Sequence, residues 1–182
     1  MSQAPKTVLS DSGPLILLAK LHRLELLGKV FGQVSIPKVV FDEVVTHGFA
    51  GGHADAHLIK RFWQQHDWPI EEVSETELES WRPAVTLGAG ELHVLALARN
   101  RPGSLVLLDD ELARAEARRL GLSVKGTLGA LVAAYRVSCF DFEELELILE
   151  EIEARPDFWI SPRLCREVLA ALRAEAAQAA SS

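Results

Sequence analysis

Five acidic positions in this 182-residue chain stand where carboxylates could act together. Asp11 closes the β-prone run Thr7-Val8-Leu9-Ser10, and the chain then turns at once into an apolar helix. Asp109 and Asp110 follow Ser104-Leu105-Val106-Leu107-Leu108, the most strand-like run present. Glu91 opens an apolar helix directly behind Gly90, and Glu43, with its companion Asp42, lies among Val39, Val40 and Val44. Taken singly, each has an ordinary explanation. Most Asp and Glu are solvated surface groups, and an acid in a helix's first turn matches the dipole for about 0.3–1 kcal/mol. Taken together they make a hard, oxygen-rich pocket that suits Mg2+ or Mn2+ rather than zinc. Clustered carboxylates repel, and a divalent ion relieves that cost. The chemistry such a site serves is phosphoryl transfer or phosphodiester hydrolysis.

The elements that must position these groups are legible in outline. Ser12 or Gly13 can cap the first helix, and Pro14 suits its first turn. That places Asp11 at the carboxyl end of a strand, over the lip of a sheet, where open α/β sheets bind ligands. Residues 33–36 read as a short strand, and Pro37 opens a helix over 38–45. Gly48-Phe49-Ala50-Gly51-Gly52 reads as a flexible break, followed by a helix over 54–65 and a strand-like Trp68-Pro69-Ile70. Residues 71–79 read as a connection or short helix, 87–90 as a turn, and 121–124 as a last strand before a helix through 137. Strands alternating with helices on short links argue a parallel, doubly wound sheet. Like-directed strand ends lie side by side, so Asp11 and Asp109 or Asp110 could share one rim. Residues 141–154 and 162–180 read as two helices joined around Pro156, with 179–182 expected to fray.

The net charge of −7 is unevenly spread. Residues 1–138 hold 15 Lys and Arg against 16 Asp and Glu, whereas residues 139–182 hold 4 against 10. The first part is nearly neutral, so the acidic total does not exclude a nucleic acid. No apolar run approaches the roughly 20 residues of a membrane span. The N-terminus shows no basic segment followed by an apolar one, so cytoplasm is the expected location. Cys139 and Cys165 form no CxxC pair, which suits a reducing compartment and disfavours a thiolate zinc site.

Other groups weigh less. His53 and His57 are spaced i, i+4, but no Glu completes an H-E-x-x-H pattern, and with His47 they read as surface residues. Arg114 and Arg118 share a helix face after Asp110, with Arg119, Arg99, Arg101 and Lys125 nearby in sequence. They read either as a phosphate-gripping rim or as a solvated face partly neutralised by Glu111 and Glu116. Trp63, Trp68, Trp81 and Trp159 read as packing anchors sooner than base-stacking platforms. The acidic segment 143–153 carries an apolar side, which is either a docked helix or a protein-partner or dimer surface. Neither a P-loop nor a G-x-S-x-G elbow is present.

Five segments in order resemble one family. Val8-Leu9-Ser10-Asp11-Ser12-Gly13-Pro14-Leu15 is similar to the first motif of PIN-domain ribonucleases. Ile36-Pro37-Lys38-Val39-Val40-Phe41-Asp42-Glu43-Val44 resembles the second, and Gly90-Glu91-Leu92-His93-Val94-Leu95-Ala96-Leu97-Ala98 the third. Leu107-Leu108-Asp109-Asp110-Glu111-Leu112-Ala113-Arg114 resembles the fourth, and Val124-Lys125-Gly126-Thr127-Leu128-Gly129 the segment after it. The resemblance implies a PIN-like three-layer α/β/α fold with a central parallel sheet of four to five strands, plus a C-terminal helical extension. It places a catalytic domain at residues 1–138 and the extension, packed on that domain, at 139–182. It implies a Mg2+- or Mn2+-dependent endoribonuclease, similar to VapC-type toxins of toxin–antitoxin pairs; the alternative is a non-catalytic RNA- or protein-binding module. Asp11, Glu43, Glu91 and Asp110 would be catalytic, with Asp11, Glu91 and Asp110 or Asp109 holding metal. Ser12, Thr127, Arg114 and Arg118 would contact substrate. Glu91 stands where many members have Asp, one methylene shorter. The family pattern points to Asp110 in the fourth motif, with Ala113 where an aromatic is usual, while Asp109 sits directly at the strand end. Implied partners are RNA and an antitoxin, and the chain is expected to form a homodimer and to avoid membranes.

Overall fold

The computed structural model describes residues 7–180 and divides into two compact units, Met1–Ala130 and Leu131–Ser182. In the first, β1 (Val8–Ser10) is buried at all three residues, as a strand covered on both faces must be. It runs parallel to β4 (Leu105–Leu107), with Leu9 opposite Val106 and Ser10 opposite Leu107. On the far side of β4 lies β5 (Ser123–Lys125), with Val106 opposite Val124. A second parallel pair joins β2 (Ile36–Pro37) to β3 (Ile70–Glu71).

One bridge, between Leu9 and Ser35, connects the three-stranded sheet to this pair. There the Ser10 N–H donates to the Ser35 carbonyl at 3.1 Å, and the Ser35 N–H to the Val8 carbonyl at 2.9 Å. Counted through that bridge the strand order is β3-β2-β1-β4-β5, all parallel. The expected four to five strands thus occur as a ladder of three and a ladder of two. The chain winds outward from β1 to one side and returns through β4 and β5 on the other, so the order reverses beside β1. In open α/β sheets that reversal is where a crevice opens over the strands' carboxyl ends.

Helices fill the connections. α1 (Ser12–Lys20) buries Leu15, Leu17 and Leu18, and α2 (Glu25–Phe31) ends at Gly32, whose φ of 75° requires glycine. After β2 the chain is helical from α3 (Lys38–Phe41) through a π-helical segment (Asp42–His47) to α4 (Gly48–Ala50). The break expected at Gly48 therefore starts three residues late. A Cβ at Gly48 would lie 2.8 Å from the Ala56 Cβ, so this glycine serves the close crossing of α4 with α5 (Ala54–His66), and the turn falls at Gly51 and Gly52.

Further on come α6 (Glu75–Glu79), α7 (Ala89–Arg99), α8 (Glu111–Arg119) and α9 (Thr127–Arg136), whose last turns belong to the second unit. The architecture of this part is a three-layer α/β/α sandwich.

The second unit packs α10 (Phe142–Ala154) against α11 (Pro162–Ala180). Leu145, Ile148, Leu149 and Ile152 are buried on one helix, and Cys165, Leu169 and Leu172 on the other. Of the four positions expected to fray, Ala179 and Ala180 remain within α11, and Ser181 and Ser182 lie outside the described residues. No helix among the described residues is long and apolar enough to cross a membrane.

Candidate active site

Asp11 is placed by the sheet. Its N–H donates to the Leu107 carbonyl at 3.1 Å, one step beyond the β1–β4 register, and its extended backbone (φ −84°, ψ 174°) makes it the residue before α1. The side chain does not cap that helix. Only 9% exposed, it leaves Oδ1 buried without a hydrogen-bond partner. Burial, with the charges of Glu91 and Glu43 adding to it, pushes the carboxyl from 3.8 up to about 7, against a partial opposing pull from the N–H groups of Ser12 and Gly13. A buried carboxylate without a partner is costly, and such groups collect at functional sites.

The first turn of α7 closes over it. A Cβ at Gly90 would lie 2.3 Å from Asp11 Oδ1 and 3.2 Å from Val40 Cγ2, so only glycine leaves room for the carboxylate. The next residue, Glu91, is steadied by the Gly88 N–H, which donates to its Oε2 at 2.7 Å. Partial burial raises the Glu91 pKa despite that bond, and the charges of Asp110 and Glu43 raise it further. Electrostatics thus link Asp11, Glu43, Glu91 and Asp110 in one neighbourhood.

Glu43 and its neighbour Asp42 separate clearly. Asp42 is paired with Lys38, and Thr46 donates to it at 3.4 Å. Glu43, exposed on the π-helical segment, forms no ion pair among the described residues, and it is the one whose charge reaches Asp11 and Glu91. π-helical turns are rare and recur at functional sites.

The two acids of the fourth motif also separate. Asp109 accepts from the Thr127 N–H at Oδ1 and from the Thr127 hydroxyl at Oδ2, both at 2.6 Å. Asp110 caps α8, its Oδ1 accepting from the Ala113 N–H at 2.8 Å. Thr127, expected to touch substrate, is instead fully buried with its hydroxyl committed to Asp109. Ser12 is almost buried beside Asp11.

The basic residues divide as well. Arg101 forms a two-pronged pair with Glu71 on β3, Arg99 reaches Ser80 and lies over the Trp81 ring, and Arg119 grips the buried Glu116. None of these three belongs to a rim. Arg114 is half-buried, with its Nε buried and unpartnered, while Arg118 is exposed; neither forms an ion pair among the described residues.

Trp63 and Trp68 meet edge to face at 5.3 Å within a cluster with Phe62 and His66, a packing arrangement. His57 stacks on Phe49 at 4.4 Å. Sequence reasoning gave no role to Gly90 beyond a turn and read Glu116 as part of a solvated face, whereas Glu116 is buried, accepts the Ala84 N–H at 3.2 Å and fastens the approach to α7. Glycine directly before the third acid, and a Glu–Arg pair spaced i, i+3, were the signals present.

Among the described residues no three His, Cys, Asp or Glu side chains close into a ready-made ligand cage. The donors nonetheless fit a hard divalent cation. All are carboxylates, the Asp11 Oδ1 is orphaned, and the glycine at position 90 preserves the space beside it.

Carboxylates at the switch point of a parallel α/β/α sheet are an arrangement suited to divalent-metal phosphoryl chemistry. A family model for the PIN domain matches residues 7–174, and the chain belongs to the PIN-domain family. PIN domains are generally nucleases, hydrolases acting on nucleic acid. Comparison with curated proteins finds no match.

Proposed function

We propose that this protein is a Mg2+- or Mn2+-dependent endoribonuclease whose site is formed by Asp11, Glu43, Glu91 and Asp110. The observation that carries the reading is the buried Asp11 carboxylate, whose Oδ1 has no hydrogen-bond partner and on which the charges of Glu91 and Glu43 bear, with no lysine or arginine paired to it among the described residues. A structural carboxylate buried this deeply would be neutralised by a cation of the protein itself. Asp11, Glu91 and Asp110 would hold the metal. When bound, it supplies compensating positive charge and Lewis acidity at the scissile phosphodiester.

The chain's own groups do the rest. Gly88 orients the Glu91 carboxylate, the Asp11 main chain is locked to Leu107, and Arg114 and Arg118 offer guanidinium groups to backbone phosphates. Residues 1–138 are read as the catalytic part and 139–182 as its extension. The two free cysteines suit a reducing compartment, and the location in this reading is the cytoplasm. The same reading gives a homodimer that acts as the toxin of a toxin–antitoxin pair, and a small DNA-binding protein encoded alongside would support that role.

The test is Mn2+-dependent cleavage of a mixed RNA pool by wild type and Asp11→Asn, with a DNA pool in parallel. Cleavage of RNA by wild type alone is expected. Equal metal-dependent cleavage by both proteins would sink the site assignment. Metal binding and RNA binding without any cleavage would favour the non-catalytic module.

A further inference from the structure

Asp109 and Asp110 are adjacent, yet their surroundings have nothing in common. Consecutive side chains at a strand's end leave on opposite sides. Here Asp109 turns to the first turn of α9 and Asp110 to the first turn of α8. Both Asp109 oxygens accept bonds of 2.6 Å from Thr127, whose side chain is wholly buried. Charge-assisted bonds of that length, here between a half-buried carboxylate and a buried threonine, are among the stronger polar contacts a protein makes. Gly126 leaves the space for them, since a Cβ there would lie 2.9 Å from Asp109 Oδ1 and 3.3 Å from the Leu108 carbonyl oxygen. Asp110 gives one oxygen to Ala113, and among the described residues its other oxygen makes no hydrogen bond.

We propose that Asp109 is a positioning residue: its bonds to Thr127 fasten the end of β4 to α9 and fix the backbone from which Asp110, not Asp109, serves the metal. The proposal rests on the metal-nuclease reading above. Asp109 would have to give up two short bonds to a buried threonine before it could serve a cation well. Asp110 has an oxygen to offer while its cap stays intact. Fixing the main chain at residue 109 spares Asp110 much of the ordering that ligation would otherwise demand.

The test titrates Mn2+ alone into the full-length protein by calorimetry, with thermal melting and RNA cleavage measured on the same samples. Asp110→Asn is expected to weaken Mn2+ binding on the order of 100-fold, the upper end for metal-site partners. Its melting temperature should hold, because Asn caps a helix as well as Asp does. Asp109→Asn and Thr127→Val should each lower the melting temperature and weaken Mn2+ binding by about tenfold, the range for groups that orient a ligand. The two together should do no more than either alone, because they break the same pair. Thr127→Ser, which keeps the hydroxyl, should keep wild-type Mn2+ binding and lose only the small part of the melting temperature that goes with one buried methyl.

Asp109→Asn weakening Mn2+ as much as Asp110→Asn, with Thr127→Val binding like wild type, would make Asp109 a ligand and overturn the proposal alone. Lower melting with unchanged Mn2+ binding in both Asp109→Asn and Thr127→Val would reduce the pair to a structural tie, which also overturns it. No Mn2+ binding by wild type would overturn this proposal and the nuclease reading together. Should Asp109→Asn fail to fold, the contrast between Thr127→Val and Thr127→Ser decides.

Discussion

The two units of the chain treat their carboxylates in opposite ways. The C-terminal unit carries most of the net negative charge, yet six of its ten acids are answered from within. Glu146 meets Arg173, Glu151 and Asp157 share Arg155, Glu153 meets Arg166, Glu167 meets Arg163, and Glu175 meets Arg136. The first unit is almost neutral, yet it gathers Asp11, Glu43, Glu91 and Asp110 and gives none of them a lysine or arginine among the described residues. Net charge and site charge are therefore different quantities. A protein bound for a polyanion need only leave the repulsive groups where a cation will arrive, and acids elsewhere can be balanced locally.

Four perturbations, in falling order of expected size, break or sharpen this contrast. Asp11→Asn should cut metal-dependent cleavage by about 100-fold or more, the scale seen when a group that stabilises transition-state charge is lost. Its circular dichroism spectrum should match that of wild type.

The second concerns pH. The Asp11 pKa is raised in the folded state, so between about 4 and 7 the native protein holds a proton that the unfolded chain has released. Metal-free stability should then fall as pH rises through that window, by at most about 4 kcal/mol, and stay low above it. Chemical denaturation at pH 5 and pH 8 without divalent ions measures this, and Asp11→Asn should flatten the difference. A wild-type protein as stable at pH 8 as at pH 5 would contradict it.

Third, Gly90→Ala places a methyl 2.3 Å from Asp11 Oδ1. The expected loss is about 1–3 kcal/mol of stability from overpacking, together with weaker cleavage, both readable from urea melts and turnover. Smallest is Arg136→Ala, which breaks an exposed pair with Glu175 and should change stability by no more than about 1 kcal/mol. Cleavage should not respond to it.

What the sequence made legible follows the strength of local signals. The run Val8-Leu9-Ser10 before Asp11, the Pro14 start of α1 and the apolar run of β4 each carry several agreeing cues, and the structure has them where expected. β2 and β3 are two residues each, too short for any period to show, and the strands read at 33–36 and 68–70 overlap them by one residue each. The π-helical segment 42–47 has a helical pattern whose extra residue leaves no mark in the sequence. Arg99 and Arg101 looked equivalent to Arg114 and Arg118, because only the fold brings Ser80 and Glu71 within their reach, whereas the pairing of Arg119 with Glu116 was open to view in their i, i+3 spacing. Asp109 and Asp110 could not be told apart for the same reason, since the difference between them is Thr127, which stands on another helix.

The segment Asp42–His47 has one further consequence. Winding the backbone more loosely there sets where its own side chains point, and the α5 crossing at Gly48 and Ala56 holds the downstream end. A π-turn takes in its extra residue locally and keeps the helix on either side nearly in phase, so removing a single residue would restore an ordinary helix and re-aim the side chains of the segment itself. Glu43 would leave the rim without any change in its identity. For chains that share this scaffold, the length of that segment is as much a determinant of the fourth carboxylate as the residue itself.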